Sequence, residues 1–200
     1  MKGGVLPLVY VFHVAFYALF VIRKVGQRAP APAPAPPAAP DSSAPSAPHA
    51  RALVAMHGLA NAVLYFGLGR AVLSQRGSPF LFPPQPLLGG AVMLAAGVLL
   101  LSALRVFHSW RLLARIEEGH QLCTQGPFRL IRHPIYASMD LLALGTLLWA
   151  PSVIVMVGAL LIALSGDLRG RAEERLLADV FGDEYRAYCR RAARTIPGLY

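Results

Sequence analysis

The stretch Gly126-Pro127-Phe128-Arg129-Leu130-Ile131-Arg132-His133-Pro134-Ile135-Tyr136 sets two arginines, an imidazole and a phenol around a proline. Gly-Pro makes a turn. Pro134, with its fixed φ and missing N–H, suits the first position of a helix. His133 and Tyr136 then stand at the mouth of a helix whose N-terminus favours anions. A second cluster follows later in the chain: Arg169, Arg171, Glu173 and Glu174. Taken singly, each residue has an ordinary reading. The glutamates complement a helix N-terminus, the arginines mark topology, and the tyrosine is an interfacial aromatic. Brought together, the two clusters form a site for a small charged molecule, provided the intervening chain returns to the side it left.

The elements that must do this are apolar runs. The chain has 200 residues, of which 56% are hydrophobic and 14% charged, about half the usual charged share for a soluble domain. Gly4 to Ile22, Ala52 to Leu73 and Leu87 to Phe107 are long enough to cross a bilayer. Ile135 to Ala150 and Ser152 to Ser165 are shorter. The Trp149-Ala150-Pro151-Ser152 turn between them admits only a tight antiparallel helical hairpin. Each arm must therefore start within the interface or sit in thinned lipid. After the hairpin, Leu176, Leu177, Val180, Phe181, Tyr185 and Tyr188 recur at spacings of three and four, which predicts an amphipathic helix along the membrane surface or under the hairpin. The expected fold is an all-α integral membrane protein of about five transmembrane helices, with a C-terminal helical hairpin and a cytoplasmic amphipathic C-terminal helix. Four regions follow: residues 1–28 as a first spanning helix, 29–50 as a linker, 51–120 as two spans and a basic connection, and 121–200 as the core that carries both clusters.

Residues 29–48 are Pro-Ala repeats with a few serines, too proline-rich for a helix and too small for a core. They read as a semi-rigid or disordered tether. Only Lys2 precedes the first run, whereas Arg23, Lys24 and Arg28 follow it. This is the wrong polarity for a cleaved signal peptide and fits a retained helix with its N-terminus outside and the C-terminus in the cytoplasm. The net charge of +9 belongs to the same rule and to anionic lipid rather than to nucleic acid, since no stacking motif accompanies it. Cys123 and Cys189 are too few and too far apart for a disulfide framework or a zinc site, so no metal centre is expected.

The blocks GPFRLIRHPIY, the short hairpin, and RAEERLLADVFGDEYRAYCRR ending in TIPG resemble the isoprenylcysteine carboxyl methyltransferase and phospholipid methyltransferase superfamily. The resemblance covers residues 121–197 and part of the third span. It implies a membrane enzyme that transfers a methyl group from S-adenosylmethionine, bound on the cytosolic face, to a lipid-soluble or membrane-associated acceptor. By that resemblance Arg132, His133, Pro134, Tyr136, Glu173 and Glu174 are cofactor-binding positions. Arg169 or Arg171 corresponds to the arginine that assists the acceptor or the cofactor carboxylate and is assigned to catalysis. The chemistry is compatible: methyl transfer from a sulfonium needs chiefly that donor and acceptor be held in line. The chain departs from the pattern in Ser138, where many relatives carry glycine, and in the Pro-Ala insert.

Two alternatives keep the architecture. One is a haem-binding or redox membrane protein using His13, His57 and His108, which lie in or at the ends of spans. The other is a non-catalytic scaffold on the same fold. Prenylated cysteine, an amino-lipid headgroup, a small thiol and an isoprenoid acid all remain open as acceptors.

Overall fold

A computed structural model describes residues 6–26, 49–73, 85–107 and 122–198. The Pro-Ala tether, the loop at 74–84 and most of the basic connection, with His108, lie outside the described residues. Among the described residues the fold is helical: α1 (Leu6–Gly26), α2 (Ala50–Leu73), α3 (Gln85–Val106), a 3-10 turn at Gly126–Arg129, α4 (Pro134–Trp149) and α5 (Val153–Cys189). Ala50–Ala71, Gln85–Val106 and the helix from Val153 are long and apolar enough to cross a membrane; Leu8–Arg23 and Pro134–Trp149 are shorter apolar helices. The 16 residues of α4 reach about 24 Å, short of a hydrocarbon core of about 30 Å. Val14, Phe66, Val98 and Leu160 are exposed on four different helices. An apolar surface so distributed suits lipid and would be a liability in water.

The helices pair as α3 with α4, α2 with α5, and α4 with α5, while α1 touches α3 and α4. Buried Val9, Phe16, Leu68, Met93, Leu100 and Leu142 join α1, α2, α3 and α4 into one core. Small residues set the closest approaches. A Cβ at Gly158 would stand 2.6 Å from the backbone of Leu64, and one at Gly145 would stand 2.9 Å from the carbonyl oxygen of Gly89. Pro151 cannot continue α4, and the Ser152 hydroxyl caps α5 by accepting from the Val155 N–H at 3.2 Å. The hairpin is thus as tight as its sequence requires.

The C-terminal part differs from the sequence expectation. The fifth apolar run and the first part of the amphipathic stretch form one unbroken helix as far as Phe181, and a short further helical segment follows. Gly166 and Gly170 cost about 1 kcal/mol each in a helix interior and do not end it. The break comes at Gly182, whose φ of 52° and ψ of −120° turn the chain inside α5. The apolar first half of α5 therefore continues rigidly into its charged second half. Beyond the kink Tyr185, Tyr188 and Ala192 form a small buried cluster, and the Tyr188 hydroxyl donates to the Phe128 carbonyl at 2.7 Å. Residues 191–194 then lie beside the stretch before α4. Ala193 N–H donates to Leu130 O at 3.0 Å, Arg132 N–H to Ala193 O at 2.8 Å, and His133 N–H to Arg194 O at 3.0 Å. This parallel bridge ties the C-terminal tail to the mouth of α4.

Among the described residues, His13 and His57 do not bond to one another. His13 bonds Tyr65 of α2 and Thr146 of α4, each at 2.8 Å, while His57 bonds Ser165 of α5 at 2.8 Å.

Candidate active site

The hairpin brings the two charged clusters together. His133 precedes α4 as its N-cap residue, and Pro134 is its first helical residue. Pro134 is fully buried and starts the helix. One turn on, Tyr136 faces α5. Gly170 lets the imidazole lie against that helix, since a Cβ there would meet the His133 ring at 3.3 Å, and Gly166 does the same for Tyr136 at 3.6 Å.

The two glutamates are neighbours in sequence with different surroundings. Glu174 is a hub: its Oε1 accepts from Arg132 Nε at 2.9 Å, His133 Nε2 at 3.2 Å and Arg194 Nε at 3.1 Å, and its Oε2 from Arg194 Nη2 at 2.5 Å. A carboxylate can only accept, so His133 carries its proton on Nε2 here. Burial works against ionising Glu174, but the hydrogen bonds from His133, Arg194 and Arg132 outweigh it and lower its pKa from 4.5 to about 2. Glu173 is more open, at 26% side-chain exposure against 13% for Glu174. Its Oε1 accepts from the Tyr136 hydroxyl, and its Oε2 lies 3.7 Å from His133 Nδ1. Glu173 therefore keeps capacity for a further donor, whereas Glu174 has little left.

Arginines predicted from the sequence part company. Arg169 is buried and lies over the Tyr136 ring, its guanidinium carbon 5.1 Å from the centroid, a cation–π contact. Arg171 is half exposed and pairs with Asp167 at 2.6 Å. Arg132 reaches the carbonyls of Cys189 and Ala192 as well as Glu174, which makes it a strut between the motif and the tail. Arg194, which carries no assignment from the sequence, completes the hub and also approaches Asp167 at 3.4 Å. The only hint of it in the sequence is its place three residues before Pro197, inside the block ending TIPG.

On the Glu174 side the kinked C-terminal half of α5 borders an open cleft of about 590 Å³, lined by Arg171, Glu174, Arg175, Tyr185, Arg190 and Arg194 among others. That size is within the usual range for small-molecule sites. Burial pushes the Tyr185 phenol well above its ordinary value, with the Glu174 charge adding to it, so it stays a neutral donor. The lining offers the locked Glu174 carboxylate, a neutral phenol and several guanidinium groups, with the His133 imidazole on Glu174 and the more open Glu173 outside the lining. Among the described residues no group of three or more metal-ligating side chains occurs.

Compared with known families, residues 84–184 match the family described as phospholipid methyltransferase. The match starts just ahead of α3, takes in α4 and its motif, and ends just past the Gly182 kink. No curated protein matches the chain.

Proposed function

The chain belongs to the phospholipid methyltransferase family over just over half its length and is thereby a membrane methyltransferase; from this premise we propose that S-adenosylmethionine is its donor and that the acceptor is carried by, or dissolved in, the lipid. The observation that carries the reading is the double contact of the His133-Pro134-Ile135-Tyr136 block with the glutamate pair, His133 on Glu174 and Tyr136 on Glu173.

The side chains fit this donor. Its ammonium group wants a carboxylate with a free lone pair, which Glu173 offers next to, but outside, the cleft lining. Its carboxylate wants guanidinium groups, which Arg171, Arg175 and Arg190 offer around the cleft. When bound, the cofactor supplies an electrophilic methyl group on a sulfonium, and in-line displacement needs no covalent help from the protein. What the chain contributes is position. Glu174, locked by two arginines and an imidazole, holds α5 against the mouth of α4. Tyr136, held at its hydroxyl by Glu173 and over its ring by Arg169, makes a rigid wall. Arg169 serves as a buried cation beside that wall, and Arg171 faces the cleft as a carboxylate partner. The apolar flanks of α4 and α5 give a lipid-borne acceptor a sideways approach from the bilayer. We assign the charged face to the cytoplasm, since arginine-rich connections favour that side.

Calorimetric titration with S-adenosylhomocysteine tests the assignment. His133→Ala is expected to lose binding while the helical signal and monodispersity persist. Wild-type affinity in that variant would mean that the cofactor lies elsewhere.

A further inference from the structure

The parallel bridge joins two stretches that hold arginine and no carboxylate. Residues 126–136 carry Arg129 and Arg132, and residues 185–200 carry Arg186, Arg190, Arg191 and Arg194. Three of these are spent inside the protein, Arg132 and Arg194 on Glu174 and Arg186 on Asp183. Arg129, Arg190 and Arg191 are exposed and meet no carboxylate among the described residues. Arg190 lines the cleft; Arg129 and Arg191 do not. Two large apolar side chains accompany them. Leu130 is 65% exposed and Ile196 51%, whereas their neighbours Phe128, Ile131 and Ala192 are buried.

The bridge also sets the depth of these residues. His133 is the N-cap of α4, and its N–H donates to Arg194 O. Because α4 is about 6 Å shorter than the hydrocarbon core, its ends lie at or inside the hydrocarbon boundary. Leu130 is three residues from His133, a reach of at most about 11 Å. Ile196 is two residues beyond Arg194, a reach of about 7 Å. Both fall within range of the headgroup layer, which is about 5–8 Å deep on each side. In water an exposed leucine and isoleucine gain nothing. At the boundary of headgroups and acyl chains they bury apolar area, and arginines beside them meet lipid phosphate.

We infer that Arg129, Leu130, Arg191 and Ile196 form a docking surface for anionic phospholipid headgroups of the adjoining leaflet, and that this lipid holds the C-terminal tail closed on the mouth of α4. The occupant is anionic because both stretches are basic and carry no carboxylate. A zwitterionic headgroup would bring a cation that the arginines repel, whereas each arginine near an anionic surface is attracted to it. The same stretches bear Arg132 and Arg194, the two guanidinium groups that lock Glu174. Docking therefore steadies the hub without touching it. The surface rests on charge, exposure and depth alone, and it goes beyond the methyltransferase reading without depending on it.

The test compares the full chain in phosphatidylcholine nanodiscs with the full chain in discs of phosphatidylcholine mixed with phosphatidylglycerol. Hydrogen exchange of the Arg132, His133 and Ala193 amides, which make the bridge, is the readout. In the wild type these amides are expected to exchange about tenfold more slowly in the anionic discs, within the roughly thirtyfold that two arginines at an anionic surface allow. High salt should cancel most of that difference. Arg129→Gln combined with Arg191→Gln should shrink it to about twofold or less with thermal stability unchanged, since neither side chain has a carboxylate partner. Leu130→Gln combined with Ile196→Gln should speed exchange about threefold in both kinds of disc. Equal exchange of the wild type in the two discs overturns the surface, as does a difference that survives the arginine substitutions or high salt, or unchanged exchange in the apolar pair. S-adenosylhomocysteine is titrated in the same discs. Lipid-dependent exchange without any binding of it keeps the surface and removes the cofactor assignment.

Discussion

Helix α4 has two seams, and they use the same device for opposite ends. Against α3, Gly145 meets Gly89 and Met93, so the backbones touch and nothing else fits between them. Against α5, Gly166 leaves ordinary van der Waals room and Gly170 a tighter fit, and the space is filled by Tyr136, His133 and Asp140. The first seam is dry and closes on backbone. The second is closed by side chains that carry protons and charge. Glycine in a membrane helix thus marks close approach, and the neighbour it admits decides whether the result is packing or chemistry.

The comparison yields an ordered set of outcomes. Gly145→Leu drives a side chain into the Gly89 carbonyl and the Met93 backbone, neither of which can move aside. It should cost at least about 3 kcal/mol, read as loss of the folded species in thermal unfolding in detergent. Next comes Glu174→Gln, which strips the charge from a hub of two arginines and a histidine and should cost about 2–3 kcal/mol of stability. Its pH dependence separates it from a packing defect. Because folding lowers the Glu174 pKa from 4.5 to about 2, its contribution is fully present above pH 4.5 and is lost as pH falls towards 2. Wild-type stability should therefore drop over that window, and the variant should drop less. An identical acid profile in both would show that the hub contributes no ionic stabilisation.

Glu173→Gln sharpens the contrast between the paired glutamates. It should weaken S-adenosylhomocysteine about tenfold or more with little change in thermal stability, since Glu173 accepts from the Tyr136 hydroxyl and lies 3.7 Å from His133 Nδ1, whereas Glu174 carries the arginine hub. A stability loss as large as that of Glu174→Gln would mean the two residues do one job. The smallest effect is expected from Gly170→Ala. Its methyl group would press the His133 ring at 3.3 Å, a side chain able to give by tenths of an ångström. Calorimetry should show about a threefold loss of affinity with the fold intact, in contrast to the collapse expected at Gly145.

Much of this was legible before any coordinates. Apolar runs broken by proline and arginine marked the helices, because a bilayer admits few other solutions for the backbone. The Trp149–Ser152 turn, being too short for anything but a hairpin, already required His133, Tyr136, Glu173 and Glu174 to share a side. Other features carry no local signature. Asp140 sits unremarked in the fourth apolar run, and nothing nearby shows whether it faces lipid, a partner or a ligand. Arg194 resembles any tail arginine until the bridge between Ile131 and Ala193 places it on Glu174. The continuity of α5 through Ser165 has no signature in composition, which changes sharply there, whereas helix propensity does not.

What the sequence determined by itself was an apolar surround, the order of the apolar helices, and the meeting of two charged clusters. Those follow from hydropathy, turn length and charge, which act along the chain. Which glutamate is locked and which is open, and where Arg194 lands, were decided only by the tertiary structure. The reason is physical: a hydrogen bond or an ion pair depends on separations of a few tenths of an ångström between residues as many as 133 positions apart, and no pattern read along one strand of sequence contains those distances.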